Sequence, residues 1–243
     1  MTSCAAGGVT GAVTRVPLLG DAASDSVVAE VRAQRGRWVR RGTAEFYTLG
    51  AASYLDDGAT YEARAAELNH VLLTRFAPLY AHLLDCVAAA LGAPAVLAEG
   101  KAVPGFHIWG VPGIPTGPNA SLHFDLQYEK LRWPDAAAGT AASSMSFTLP
   151  LQLPRCGAGL SLWDTTYERV QAFYARTGFR GTLDDLLPLF VERVERYVRG
   201  ELILHSGHQL HRIAPVAEVA PDDVRVTLQG HGRLMGGAWH LYW

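Results

Sequence analysis

The residues best suited to chemistry lie in two short stretches of the second half of the chain. Residues 122–126 read LHFDL, which places His123 and Asp125 two positions apart. Residues 200–216 read GELILHSGHQLHRIAPV and contain His211. Two imidazoles and one carboxylate are the ligand set of non-haem Fe(II) centres that keep coordination positions open. The residue types therefore indicate a metal centre.

An arginine that could bind a carboxylate follows His211 in the sequence. Arg225 and Thr227 lie in the run VRVTL, fourteen residues beyond His211. If this run is a strand, alternation puts both side chains on one face. A guanidinium group with a neighbouring hydroxyl suits the carboxylate of a dicarboxylate co-substrate.

The His-x-Asp pair has little weight when taken alone. Residues i and i+2 of a strand share a face, so His123 and Asp125 can reach one ion, but for the pair alone a solvated strand face is the favoured explanation. The context favours a metal site, because the chain presents a His-x-Asp pair, then a distant His and then an Arg, so that three possible metal ligands are followed by a possible carboxylate-binding group.

Composition limits the classes of protein to consider. A chain of 243 residues with 18% charged residues and a net charge of −2 is typical of one large globular domain. It has no overall attraction for nucleic acid or an anionic membrane. The basic run at 35–41 is interpreted as the solvated end of a helix, with a phosphate-binding or partner-binding patch as the alternative.

Cysteine usage and the N-terminus point to a cytoplasmic protein. Cys4, Cys86 and Cys156 are few and scattered, which argues against a disulfide framework and against a cysteine-based zinc site. The first residues lack the basic region and apolar core of a signal peptide. No stretch approaches the roughly 18 apolar residues of a membrane span. We expect a soluble, cytoplasmic protein.

The first hundred residues carry helical patterns. A short helix is expected from Ser24 to about Gln34, capped by Ser24 or Ser26. Residues 61–91 repeat apolar side chains at three- and four-residue steps, and Pro78 should split or kink this helix.

After residue 95 the pattern changes to many short strands separated by Gly and Pro, which predicts a barrel-like β-sandwich with helices packed outside. The predicted strands are VLAEG, GFHIWGV, SLHFDLQYE, SMSFTLPLQL, GAGLSLWD, ERVERYV, GELILH, VRVTLQG and AWHLYW. Residues 164–190 interrupt them with a predicted helix and a loop, a candidate lid over a pocket.

Five segments together resemble the Fe(II)/2-oxoglutarate-dependent dioxygenase superfamily over roughly residues 100–243. They are PGFHIWG, LHFDLQYE, SMSFTLPLQL, GAGLSLWD, and GELILHSGHQLHRIAPV taken with VRVTL. The resemblance implies an α+β, mainly β fold: a double-stranded β-helix, or jelly-roll, core with N-terminal supporting helices.

Composition and residue patterning, together with the resemblance, predict an organisation of the chain. Residues 1–20 form a flexible N-terminal segment, and residues 21–243 form a single oxygenase domain. Within that domain, residues 21–95 supply the helical support. Residues 96–243 form the jelly-roll core, with the insertion at 164–190.

Carried over residue by residue, the resemblance implies that His123, Asp125 and His211 bind iron. Arg225 would form a salt bridge with the distal carboxylate of 2-oxoglutarate, and Thr227 would add a hydroxyl hydrogen bond. The gap between His211 and Arg225 is somewhat longer than is common in this family. Arg212 and Arg233 are therefore the alternative anchors.

The implied reaction consumes dioxygen and 2-oxoglutarate, releases succinate and CO2, and oxidises an unactivated C–H bond. Asp125 occupies the position where related halogenases have a small residue, so hydroxylation, desaturation or ring formation is favoured. The expected substrate is a small molecule, an amino acid or an amino-acid-derived natural-product intermediate, free or carrier-bound. The alternatives are a non-catalytic jelly-roll protein that binds metal or a dicarboxylate, and a cupin-like metal-dependent isomerase or hydrolase.

Three further residues are candidates for substrate contact, each with a structural alternative. Gln127 shares the predicted strand face of Asp125, but a satisfied core amide is as plausible. Trp163 could line the pocket, although core packing is favoured. His107, like the nearby Trp109, could reach 2-oxoglutarate or substrate, but a lone histidine there is more often structural.

Other residues near these candidates are weaker. His205 and His208 lie close enough in sequence to be mistaken for the ligand His211, and His208 is a candidate for supporting a ligand. Tyr167 and Arg176 on the insertion could reach substrate from a lid, but solvent exposure is the more ordinary outcome for both.

Overall fold

The structure is a computed structural model that describes residues 13–117, 120–133 and 143–243. Its strands are β1 (Thr14–Pro17), β2 (Val39–Arg40), β3 (Phe46–Leu49), β4 (Ala95–Leu97), β5 (Gly105–Gly110), β6 (Ser144–Gln152), β7 (Gly159–Thr166), β8 (Glu192–Arg196), β9 (Glu201–Ser206), β10 (Gln209–Ala214), β11 (Val224–Met235) and β12 (Ala238–Tyr242). Its α-helices are α1 (Asp21–Ala33), α2 (Gly58–Arg75), α3 (Ala77–Leu91), α4 (Tyr167–Thr177) and α5 (Leu183–Leu186).

The strands form two sheets that face each other across a cavity. The larger sheet has the order β1-β9-β6-β11-β5-β3-β2, with β12 beside β11 and β4 beside β12. The smaller sheet has the order β10-β7-β8. Every pairing is antiparallel except that of β4 with β12. This arrangement confirms the predicted jelly-roll core.

Alternation along β11 explains how one strand serves both the core and the site. Val226 and Leu228 point outward into the hydrophobic core, where they pack with residues of α1, α2 and α3. Gln229 and His231, on the opposite parity, line the cavity between the sheets. The helices thus cover one face of the large sheet and leave its other face for polar side chains.

The predicted break in the long helical region is confirmed. α2 ends at Arg75, α3 begins at Ala77, and Pro78 lies in the first turn of α3, where its missing N–H is tolerated. The two helices meet at an angle of 90°. Among the described residues no single helix is long and apolar enough to cross a membrane, although this bent pair passes the same test of length and composition.

The N-terminal region differs from the sequence expectation in two ways. α1 begins at Asp21 after Gly20, which gives no side-chain cap, so the expected capping by Ser24 or Ser26 is wrong. Ser24 is instead buried inside the helix. Residues 14–17 form β1 and pair with β9, so they are not a loose tail. Residues 1–12 lie outside the described residues.

Two further predictions fail locally. The run SLHFDLQYE is not a strand: it makes a single bridge, from His123 to His211, and then a 3-10 helix over Gln127–Lys130. The insertion contains the expected helix as α4, and the predicted loop after it contains the short helix α5. None of residues 164–190 lines the cavity, so the insertion is not a lid in this structure.

Candidate metal centre

Backbone hydrogen bonds bring the three candidate ligands together from distant parts of the chain. The amide of His123 donates to the carbonyl of His211 at 3.0 Å, and the amide of His211 donates back at 3.1 Å. The amide of Asp125 donates to the carbonyl of Gly207, in the turn between β9 and β10, at 2.7 Å. Hydrogen bonds therefore hold the ligand-bearing loop to β10 and to the turn that precedes it.

The side chains of these residues converge on one point. Ligand atoms of His123, Asp125 and His211 all lie within 4.8 Å of one another. Oδ2 of Asp125 lies 3.2 Å from Nε2 of His211, and its Oδ1 lies 3.6 Å from Nε2 of His123. Two imidazoles and one carboxylate at this spacing fit a metal ion bound on one face.

Both histidines are oriented to offer Nε2 to a metal. Nδ1 of His123 lies 2.8 Å from the carbonyl oxygen of Ser121, and Nδ1 of His211 lies 2.7 Å from that of Gln209. A carbonyl only accepts, so we assign the proton to Nδ1 in each ring. This assignment leaves the Nε2 lone pairs free, as metal ligation requires.

The charges of the site are mutually adjusted. Burial alone would raise the pKa of Asp125, yet His211, His231 and His123 hold it well below the ordinary value. Burial lowers the pKa of His211, but the charge and hydrogen bond of Asp125 outweigh this effect and raise it overall. Burial and the neighbouring His211 lower the pKa of His123. Asp125 is therefore ionised and ready to bind a cation.

Gln127 supports the carboxylate. Its side-chain amide donates from Nε2 to Oδ1 of Asp125 at 2.9 Å, within the 3-10 helix that follows the ligand pair. Gln127 also lines the cavity. Gln127 therefore contacts Asp125, one of the three candidate metal ligands, and the sequence did not suggest this contact.

Arg225 and Thr227 form a buried cation and hydroxyl without an anionic partner. Arg225 is 1% exposed, and its Nε and one terminal nitrogen make no hydrogen bond within the described residues. The hydroxyl of Thr227 is likewise buried and unpartnered there. No carboxylate of the described part of the chain forms an ion pair with Arg225. Isolated buried charges are costly, so this pair fits a carboxylate brought by a ligand.

An aromatic ring lies beside Arg225. The guanidinium of Arg225 lies over the ring of Tyr197, 5.3 Å from its centroid. Burial lowers the pKa of Arg225, and Tyr197 opposes that effect. Arginine nonetheless remains charged in proteins. Tyr197 follows β8 directly and was not among the sequence candidates.

A cavity of about 850 Å³ adjoins the ligands, and residues of both sheets line it. One wall carries Phe46 and Trp109, whose rings stack with centroids 3.7 Å apart. His107 also lines the cavity, and its Nε2 lies 2.6 Å from the hydroxyl of Tyr54. Volume and aromatic lining are those of a small-molecule site.

Trp163 is placed elsewhere. It is 2% exposed and lies outside the set of residues that line the cavity, so the suggestion of pocket contact is wrong. The guanidinium of Arg212 lies 5.1 Å from the centroid of its indole ring. Core packing, the structural alternative, describes Trp163. Arg212, one of the alternative residues for binding 2-oxoglutarate, packs its guanidinium on this indole ring.

The structure adds two histidines that sequence reasoning passed over as site residues. His205 and His231 are buried and line the cavity. The ring of His205 lies 4.6 Å from that of His211, and Nδ1 of His231 lies 3.8 Å from Oδ2 of Asp125. Alternation along the strand could have indicated His231, because it is separated by an even number of residues from Arg225 and Thr227 and so shares their face.

His208 points away from the metal ligands. Its imidazole bridges Glu168 of α4 and the hydroxyl of Tyr128. It therefore ties the insertion to the loop that carries the ligands. Tyr167, at the start of α4, packs its ring against Phe124 at 5.6 Å, and Arg176 is exposed.

Solved structures with the same fold are known. An N-substituted L-amino acid dioxygenase from Burkholderia ambifaria AMMD superposes with a TM-score of 0.58 at 17% identity, covering 95% of this chain and 86% of that one. The non-heme alpha-ketoglutarate-dependent carbocyclase SnoK from nogalamycin biosynthesis gives 0.53 at 14% identity, over 91% and 81%. HygX from Streptomyces hygroscopicus, with nickel and 2-oxoglutarate bound, gives 0.50 at 15% identity, over 93% and 84%.

At these identities the likeness establishes the shared fold. No family model and no curated protein matches the sequence. The chain therefore has the double-stranded β-helix fold of 2-oxoglutarate-dependent oxygenases, and its activity must be argued from its own residues.

Proposed function

We propose that the protein is a non-haem Fe(II)- and 2-oxoglutarate-dependent oxygenase that oxidises an unactivated C–H bond of a small molecule. One observation carries the proposal: two imidazoles direct their Nε2 atoms toward an ionised carboxylate beside a cavity. Arg225, which has no anionic partner within the described residues and keeps two guanidinium nitrogens without a hydrogen bond, adds the binding group that a dicarboxylate needs.

Each residue has a defined task in this proposal. His123, Asp125 and His211 hold the iron and leave its other positions open, while Gln127 fixes the orientation of the carboxylate. Arg225 and Thr227 bind the distal carboxylate of 2-oxoglutarate. When bound, the metal and co-substrate supply the oxidation with dioxygen, and succinate and CO2 leave.

The cavity restricts access to that centre. Its aromatic wall limits the water around a bound co-substrate, and the burial of Arg225 strengthens the contact that this residue would make. Asp125 occupies the third ligand position, so no protein ligand is missing where a halide could enter. Hydroxylation, desaturation or ring formation are therefore the proposed outcomes.

The proposed substrate is an amino acid or an amino-acid-derived natural-product intermediate, free or carrier-bound. A cavity of about 850 Å³ accommodates a molecule of this size. Glu129 and Lys130 add one charge of each sign to its lining, which suits a zwitterion. A neighbour of the same fold is named as an N-substituted L-amino acid dioxygenase, which supports this choice.

Anaerobic reconstitution tests the cofactor assignment. Fe(II) and 2-oxoglutarate together should give a weak charge-transfer band near about 500 nm, because the keto acid would chelate the metal at its open positions. The band should require both components and should be lost at moderate 2-oxoglutarate concentrations in Arg225→Ala. Arg212→Ala, which removes a guanidinium that lies over the indole ring of Trp163, is the matched control.

The result separates the proposal from its alternatives. Folded, iron-loaded protein without the band would contradict chelation and would favour a binding protein or a metal-dependent isomerase or hydrolase. If the band appears, succinate release should be screened with N-substituted and free amino acids. Release stimulated by none of them would reject the substrate class while leaving the cofactor assignment intact.

A further inference from the structure

One edge of the smaller sheet exposes apolar side chains. β8 is the outer strand of the order β10-β7-β8, and within the described residues no strand pairs with its free side. Val194, at its centre, is 52% exposed. The flanking residues Leu189, Val191 and Val198 are 60%, 70% and 53% exposed. Exposed edge strands with such side chains readily accept another strand.

The free hydrogen-bonding groups of this edge follow from its register. The amide of Asp164 donates to the carbonyl of Val191, and the amide of Tyr197 donates to the carbonyl of Ala158, so odd-numbered residues of β8 face β7. The N–H and C=O groups of Glu192, Val194 and Arg196 therefore point outward.

The sequence of the edge is complementary to itself. β8 reads Glu-Arg-Val-Glu-Arg over residues 192–196. In an antiparallel pair of two copies centred on Val194, that valine lies opposite its own equivalent. Glu192 then lies opposite Arg196, and Arg193 lies opposite Glu195. Every charged residue faces an opposite charge, which stabilises cross-strand pairs.

We propose that β8 pairs with β8 of a second copy of this chain, giving a two-fold dimer with a continuous six-stranded sheet. The interface is isologous, because the same strand serves on both sides. The outward groups of Val194 form the central hydrogen-bonded pair. The exposed Val191 and Val198 lie at the two ends of the paired segment, and alternation places them on opposite faces of the sheet.

Existing contacts are compatible with this pairing. Arg15 donates to the carboxylate of Glu195 and to the carbonyl of Arg196, both at 2.8 Å. Arg193 also pairs with Glu195 at 2.7 Å. A carbonyl has two lone pairs, so that of Arg196 can also accept from Glu192 of the second copy.

The interface would lie close to the proposed co-substrate site. Tyr197 follows β8 directly, and its ring lies over the guanidinium of Arg225. Pairing of two β8 strands would therefore restrain the segment that carries one wall of that site. The dimer does not depend on the proposed function, and its test does not require activity.

Sedimentation of the full chain over a range of concentrations measures the association. The unmodified protein should show a concentration-dependent dimer. Glu192→Arg and Arg196→Glu should each weaken it by roughly tenfold in Kd or more, since each places like charges opposite one another at two symmetric contacts. Val96→Lys on β4, which changes another exposed valine of an edge strand, should leave it unchanged.

Charge reversal separates pairing from misfolding. An equimolar mixture of Glu192→Arg and Arg196→Glu chains should form heterodimers, and the double variant should form homodimers again. A monomer at all concentrations, or a dimer insensitive to these changes, would overturn the proposal. The proposal would also be overturned if the mixture of the two single variants associated no more tightly than each variant does alone.

Discussion

Gln127 donates a hydrogen bond from Nε2 to Oδ1 of Asp125 at 2.9 Å, and this contact orients the only carboxylate of the proposed ligand set. Replacement by Leu keeps the volume roughly constant and removes the donor. We expect Gln127→Leu to weaken metal binding about 10- to 100-fold, as losses of ligand-supporting contacts commonly do. Competition between the protein and a chromogenic chelator for Co(II) would measure it. Unchanged affinity would show that Gln127 has no influence on the ligand.

Removal of a ligand should have a larger effect than removal of its support. His123→Ala and Asp125→Ala should each abolish stoichiometric Fe(II) binding and turnover, because two remaining ligands cannot hold the ion in the same site. His70→Ala, an exposed histidine on α2, is the control and should bind metal normally. Full activity in either ligand variant would reject the assignment.

Arg225→Met should weaken 2-oxoglutarate binding about 100-fold, because it removes the buried cation that would pair with the distal carboxylate. Metal affinity should change little, since Arg225 is not a ligand. Titration of the metal-loaded protein with 2-oxoglutarate, read by calorimetry, distinguishes these two effects. Unchanged affinity for 2-oxoglutarate would show that another residue binds its distal carboxylate, and Arg233 is the remaining alternative.

Metal affinity should fall in mildly acidic solution. Asp125 raises the pKa of His211 despite the lowering effect of burial, so the metal-free protein retains a proton on this ligand at a higher pH than an ordinary histidine does. A metal must displace that proton. Co(II) should therefore bind more weakly near pH ~6 than near pH ~8, because a smaller fraction of the rings carries the extra proton at the higher pH. Equal affinities at both values would contradict the raised pKa.

Trp163 and Trp109 should respond differently to truncation. Trp163→Ala removes a ring that is 2% exposed and outside the cavity, so it should lower the free energy of unfolding by about 3–5 kcal/mol. Trp109→Ala removes a cavity wall and should chiefly raise KM for the substrate. Chemical denaturation and steady-state kinetics on both variants make the comparison. A large KM effect in Trp163→Ala would restore it to the pocket.

Local sequence signals were sufficient for the elements that depend on them. Alternation and turn residues predict the strands of the second half of the chain, and Pro78 predicts the break between α2 and α3. β1 was missed because its four residues carry little pattern and owe their conformation to pairing with β9. The segment around His123 was assigned to a strand because its alternation resembles one, whereas its geometry comes from a single bridge to His211.

The order of amino acids defines which imidazoles, carboxylate and guanidinium the chain can offer for chemistry. Folding selects which of these groups come together. Gln127 turns to the carboxylate, Trp163 turns to the core, and His205 and His231 join the cavity wall. These outcomes depend on which face of each strand is covered by helices or by the opposite sheet. That choice is made by pairings between residues far apart in the chain, which no local pattern specifies.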